Sequence, residues 1–147
     1  MKSVIFRTEF GYTEPTERFR LDSLELCNPE IENASCPLQS PITAGICDSF
    51  FYKLRGLMFF PSIELDRGLI FIEKEDSKIN SSIHMLFMNF DISVIWINRQ
   101  LEVVDTILAR KWHPYYFPSH PACYTLEIHP SRLREFHSGD KIIIKNV

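Results

Sequence analysis

What most constrains this chain is a series of short β-branched and aromatic runs, each broken within about ten positions by a proline, a glycine or a polar turn. Residues 42–47, 68–73, 82–88, 92–97, 100–109, 122–129 and 141–145 read as strands. So do 4–7 and 18–26, separated by a turn at Thr13-Glu14-Pro15. The stretch 28–41 carries three prolines among Asn and Ser and reads as a loop. Asn98-Arg99 predicts a two-residue hairpin, and 76–80 a polar turn. Helical signals are few. Asp48-Ser49 is a cap for a short helix ending at Leu57, and Pro130-Ser131 opens a second over 132–136, stopped by Ser138-Gly139. Many strands and one or two short helices predict a mainly β fold (β-rich α+β), either a barrel or a barrel-like sandwich.

A chain of 147 residues with 45% hydrophobic and 13% aromatic content can bury a core of its own. We expect one β-barrel-like domain over 42–147, with residues 1–41 as an extension packed on it. A net charge of −3 argues against a nucleic-acid partner. The N-terminus lacks the apolar run of a signal peptide, and no stretch approaches the roughly 20 apolar residues that cross a bilayer. The expected setting is therefore cytoplasmic, away from membranes. There Cys27, Cys36, Cys47 and Cys123 are expected as free, mostly buried thiols. His113, His120 and Cys123 include a His-x-x-Cys spacing but no second ligand pair, so no metal and no cofactor is expected.

Arg55-Gly56-Leu57-Met58, then Gly68-Leu69-Ile70-Phe71, then Ile83-His84-Met85-Leu86-Phe87-Met88, recur in an order that resembles domain-of-unknown-function family 192. Asp48-Ser49 and Lys53 stand where that family has Asp-Thr and a basic residue ahead of Gly-Leu-Met. Ala122-Cys123-Tyr124-Thr125-Leu126-Glu127 and Gly139-Asp140 match its closing segment. The family's Arg-Phe-Pro-Ile-Asp turn is here Asn89-Phe90-Asp91-Ile92-Ser93, so its Asp is replaced by Ser93 and that carboxylate is either lost or moved to Asp91. The resemblance covers about residues 42–147. It implies a mainly β, barrel-like domain and leaves activity undefined.

Several residues qualify for chemistry. His84 in an apolar run needs a hydrogen-bond partner, either as a proton-shuttling site residue or as a structural histidine. Asp48 is a helix cap or a carboxylate turned toward His84. Alternation places Glu127 on the face opposite Leu126 and Ile128, as an exposed strand residue or as a pocket carboxylate pairing with Lys53 or Arg55. The loop from Trp112 to Pro121, with Tyr115, Tyr116 and Phe117, is stiffened by three prolines and is either a lid or a rim for a ligand. No nucleophile elbow, phosphate loop or dinucleotide fingerprint is present. The expectation is a binding module for a small polar molecule or a protein partner, with a polar pocket near His84 and the aromatic loop as its rim. Its candidate residues are Asp48, Lys53, His84, Asp91, Ser93, Trp112, Tyr115 and Glu127. The alternatives are a hydrolase-like enzyme using His84 with Asp48, Asp91 or Glu127, and an interaction adaptor acting through the acidic N-terminal segment.

Overall fold

A computed structural model describes residues 28–47 and 56–146. Seven strands form one mostly antiparallel sheet: β1 (Glu30–Asn33), β2 (Ile42–Cys47), β3 (Arg67–Ser77), β4 (Ile92–Ile97), β5 (Val103–Ala109), β6 (Ala122–Ile128) and β7 (Ile142–Lys145). Their spatial order is β5-β4-β6-β3-β2-β1-β7, with β2 and β3 the one parallel pair. The sheet curls until its two edges meet. Gly139 N–H donates to the Val103 carbonyl (2.8 Å), Val103 N–H to Asp140 (2.9 Å) and Ile142 N–H to Leu101 (2.8 Å). These bonds satisfy part of the edge that a flat sheet would leave open. The result is a half-barrel.

Alternation along the strands divides the core in two. One face, here called inner, collects side chains from all seven strands, among them Ile31, Ile42, Ile70, Ile95, Val103, Leu126 and Ile142, with Phe136 at one end. The outer face presents Leu69, Phe71, Ile92, Val94 and Trp96, covered by Leu57, Ile63, Met85 and Met88 from the connecting segments. A 3₁₀ helix, Pro130–Glu135, carries Arg132 into the interior, where it is 1% exposed. Its guanidinium donates to both Glu135 carboxylate oxygens, to the Ser40 carbonyl and hydroxyl, and to the Leu65 carbonyl. A buried charge held this way locks three separate loops together. Among the described residues, no helix is long and apolar enough to cross a membrane.

Most predicted strands coincide with observed ones, and four local expectations are corrected. The predicted loop 28–41 contains β1, because Ile31 points into the inner core while the prolines lie outside the four strand residues. The predicted strand 82–88 is an irregular cover with a single bridge, Ile83 to Tyr116. Its backbone turns at Phe87, whose φ of 61° is left-handed. Asn98-Arg99 is not a two-residue hairpin. Five residues join β4 to β5, with Leu101 left-handed at φ 59° and the Asn98 side chain accepting from Glu102 N–H. The second helix is a short 3₁₀ turn. The predicted strands 4–7 and 18–26, most of the helix from Asp48, and Cys27 lie outside the described residues. Cys36, Cys47 and Cys123 are not disulfide-bonded among the described residues, and the last two are buried.

Gly68 shows how closely β3 lies on β6. A Cβ there would sit 2.8 Å from the Glu127 carbonyl oxygen and 2.9 Å from Ile128 Cγ2. Because backbone is one of the two obstacles, Gly68→Ala should destabilise by about 1–3 kcal/mol in thermal or urea unfolding. An unchanged melting temperature would contradict this packing.

Candidate functional site

A cavity lies between the outer face of the sheet and its cover. Strands β3, β4 and β6 supply Phe71, Glu73, Ile92, Thr125 and Glu127. The turn at Gly56-Leu57-Met58 and the segment 80–88 supply the opposite wall, including Asn80, Ser82, His84, Met85 and Met88. The cover is fastened at its start by the Ser81 carbonyl, which accepts from the buried Trp96 indole (2.7 Å) and from the Thr125 hydroxyl (3.4 Å). Farther on, Ile83 and Tyr116 exchange backbone bonds, Met85 N–H donates to His113, and Trp112 N–H donates to Met85. The volume of about 80 Å³ is several times the roughly 10–15 Å³ that one water needs.

Glu127 is the centre of this cavity. In the sheet it stands between Leu69 of β3 and Val94 of β4. It is 7% exposed, and among the described residues its carboxylate has no hydrogen bond or ion pair. Gly56, at φ 44°, passes over it: a Cβ there would lie 3.8 Å from Glu127 Oε2 and 3.6 Å from Phe71. Burial in apolar surroundings pushes its pKa up to about 8. At neutral pH Glu127 is therefore largely a carboxylic acid, able to donate one hydrogen bond as well as to accept. His84 lines the same cavity, half-buried, with Nδ1 enclosed.

The other sequence candidates lie elsewhere. Asp91 accepts from the Arg110 guanidinium (2.9 Å) and from Lys111 N–H (2.9 Å) outside the cavity lining. The Lys111 amide and the Arg110 partner hold its carboxyl below the usual range. Ser93 is fully buried and donates to the Pro130 carbonyl, on a strand position next to Ile92 and Val94 that faces away from the cavity. Trp112 and Tyr115 are 56% and 59% exposed and do not line the cavity, since their loop backs onto the outside of the cover. Trp112 instead meets Phe87 edge-on, and Phe87 stacks on Phe59. All three of these exposed aromatics have left-handed backbone. Asp48 and Lys53 fall outside the described residues. Missed by sequence reasoning were Glu73, Thr125 and the clustering of Met58, Met85 and Met88 in the lining. Thr125 was readable, since it shares the parity of Glu127 on one strand.

A curled, mainly β half-barrel with a small, partly polar cavity under its cover defines the structural class. Residues 33–144 match DUF192, described as Uncharacterized ACR, COG1430, and the chain belongs to this family. A UPF0127 protein of Thermococcus sibiricus is 42% identical over 82 residues, 56% of this chain and 51% of that protein. The chain thus spans about half the length of that relative. Two crystal structures share the fold. One, from Sinorhizobium meliloti 1021 and provisionally described as a transcription regulator, has a TM-score of 0.71 at 15% identity, over 82% of this chain and 95% of the other. The second, a protein of unknown function from Novosphingobium aromaticivorans, has a TM-score of 0.68 at 18% identity, over 80% of this chain and 84% of the other.

Titration of Glu127 gives a stability prediction with a definite sign. Its folded pKa, about 8, exceeds the ordinary 4.5, so between these values the folded chain holds a proton that the unfolded chain has released. Its contribution is therefore fully present below about pH 4.5 and is lost as pH rises through about 8, by an amount on the order of a few kcal/mol. Glu127→Gln should remove that alkaline decline, so that the variant melts above the parent protein near pH 9. Parallel pH–melting curves for the two proteins would contradict it.

Proposed function

We propose that this chain is a binding module for a small molecule, taken into the cavity beneath Gly56-Leu57-Met58, with Glu127 and His84 as its polar contacts. The observation that carries this reading is the Glu127 carboxyl, 7% exposed, facing the cavity and without a partner among the described residues. A buried polar group left unsatisfied costs about 1–3 kcal/mol, and a ligand that satisfies it recovers that cost on binding. Apolar walls with a few convergent polar groups are the usual make-up of a ligand site. The aromatic loop enters this reading as support for the cover rather than as a rim.

A second reading is favoured by one observation, the presence of His84 and a protonated Glu127 in one cavity. A carboxylic acid whose pKa lies near working pH is suited to general acid catalysis, with the imidazole as the complementary base. Turnover lost in Glu127→Gln while binding persists would favour this reading over simple binding.

The binding reading is tested by screening small polar fragments against isotope-labelled protein. Shifts should concentrate at the amides of Gly56, His84, Thr125 and Glu127. His84→Ala should weaken those fragments about tenfold while changing the melting temperature little. Shifts confined to Phe59, Phe87 and Trp112, or a His84→Ala variant that loses stability with binding unaltered, would remove the proposal.

A further inference from the structure

The cover over the cavity carries a strip of large apolar side chains on its outer side. Phe59, 62% exposed, stacks on Phe87, 47% exposed, and Phe87 meets Trp112 edge-on at 5.4 Å. Leu65, 44% exposed, lies a few residues beyond Phe59. We propose that residues 1–27 of this chain, which precede the described part, dock along this strip, with Phe19 against Leu65 and with Phe10 and Tyr12 against Phe87 and Trp112.

The strip is held in place by its backbone. Phe59, Phe87 and Trp112 have φ of 66°, 61° and 65°, the left-handed region that residues with a Cβ rarely enter. Phe59 N–H donates to the Phe87 carbonyl (3.3 Å), and Trp112 N–H donates to the Met85 carbonyl (2.8 Å). Left-handed backbone is costly, and so is a contiguous aromatic surface left in water. A partner that covers the rings offsets both.

Strand register shows which segment reaches them. Ala109 pairs with Ile92, Ser93 with Ile128, Ile128 with Gly68, Gly68 with Ala44, and Thr43 with Glu30. The end of β5 and the start of β1 therefore lie on one rim of the sheet. Trp112 follows β5 on that rim, Leu65 precedes β3 on it, and the chain enters β1 there from residue 28. Five strand intervals separate β1 from β5, a path of about 24 Å at about 4.8 Å each. About eight extended residues cover it at about 3.3 Å each, so residues 1–27 reach the whole strip.

Their side chains match it in order. Residues 1–27 include Phe6, Phe10, Tyr12 and Phe19, and a segment this short cannot bury them in a core of its own. At the near end, Arg18 and Arg20 flank Phe19, while the exposed Glu64 and Asp66 flank Leu65. Glu64 is 3.9 Å from Arg67 and stays 77% exposed. At the far end the signs reverse. From Thr8 to Glu17 the charged residues are Glu9, Glu14 and Glu17. Facing them, Lys111 is exposed beside Trp112, and Arg110 is 68% exposed although bonded to Asp91. One direction of docking thus pairs opposite charges at both ends.

The strip spans both parts of the cover. Phe59 follows Met58, Phe87 falls between Met85 and Met88, and all three methionines line the cavity. A segment seated across Phe59 and Phe87 ties the Gly56 turn to residues 80–88 and restrains how far they part to admit a ligand. That consequence rests on the reading of the cavity as a binding site, whereas the docking itself does not.

The test uses the isotope-labelled full chain. Nuclear Overhauser contacts are expected from Phe10 and Tyr12 to Phe87 and Trp112, and from Phe19 to Leu65. A double variant, Phe10→Ser with Tyr12→Ser, should shift the signals of Phe59, Phe87 and Trp112. It should also speed hydrogen exchange at the Phe59 and Trp112 amides about tenfold. The β4 amides should keep their rates, which shows that the variant folds. Trp112→Ser should in turn move the signals of Phe10 and Tyr12. The proposal is overturned if the double variant leaves the strip's signals in place, or if the strip's contacts go instead to residues 48–55. It is also overturned if the contacts arise only between labelled and unlabelled copies in a mixed sample, which would make the occupant a second molecule. None of these outcomes alters the fragment screen, which decides the cavity reading separately.

Discussion

Everything particular to this molecule follows from one strand being buried on both faces. β6 sends Leu126 and Ile128 into the inner core, and the same alternation sends Glu127 into the outer one. Leu69 and Val94 flank it in the sheet, and the Gly56 turn closes over it. A carboxylate in such surroundings is costly, and the cheaper state at neutral pH is the protonated acid. The strand could have placed Val or Leu there at no such cost.

The contrast with Arg132 sharpens the point. That guanidinium is still more deeply buried, yet it makes five hydrogen bonds to Glu135, Ser40 and Leu65. Buried charge elsewhere in this fold is thus matched with partners down to individual donors. Trp96 and Thr125, on the same outer face as Glu127, also have theirs in the Ser81 carbonyl. The exception sits where there is space beside it. Exceptions of this kind gather at sites that do something other than hold the chain together.

Much of the architecture could be read from residue pattern alone. β2 and β4 were legible to the residue, because each is a mostly apolar, β-branched run bounded by residues that end strands, Pro41 and Asp48 for the first and Asp91 and Asn98 for the second. The order of motifs around Gly56, Gly68 and His84 carried the family. β1 was hidden because three prolines around it read as loop, although only four residues need to be extended. Residues 82–88 misled in the opposite direction. Their apolar content reflects service as a cover over Trp96 and Phe71, and covering requires burial without strand geometry. At the site, alternation placed Glu127 on the correct face, but whether that face meets solvent depends on segments far away in sequence. Nor could spacing show that Ser93 faces the inner layer while the aromatic loop backs away from the cavity.

The central claim is that Glu127 is a buried acid in a cavity, with no partner among the described residues. A carbon-13 NMR titration of the glutamate side-chain carboxyls, with Glu127→Gln to assign the signal, tests it most directly. One carboxyl should titrate near about 8, well above the ordinary glutamate range near about 4.3, and should vanish in the variant. If every glutamate carboxyl titrates in the ordinary range or below, Glu127 is solvated or paired in solution, and the account of the cavity fails.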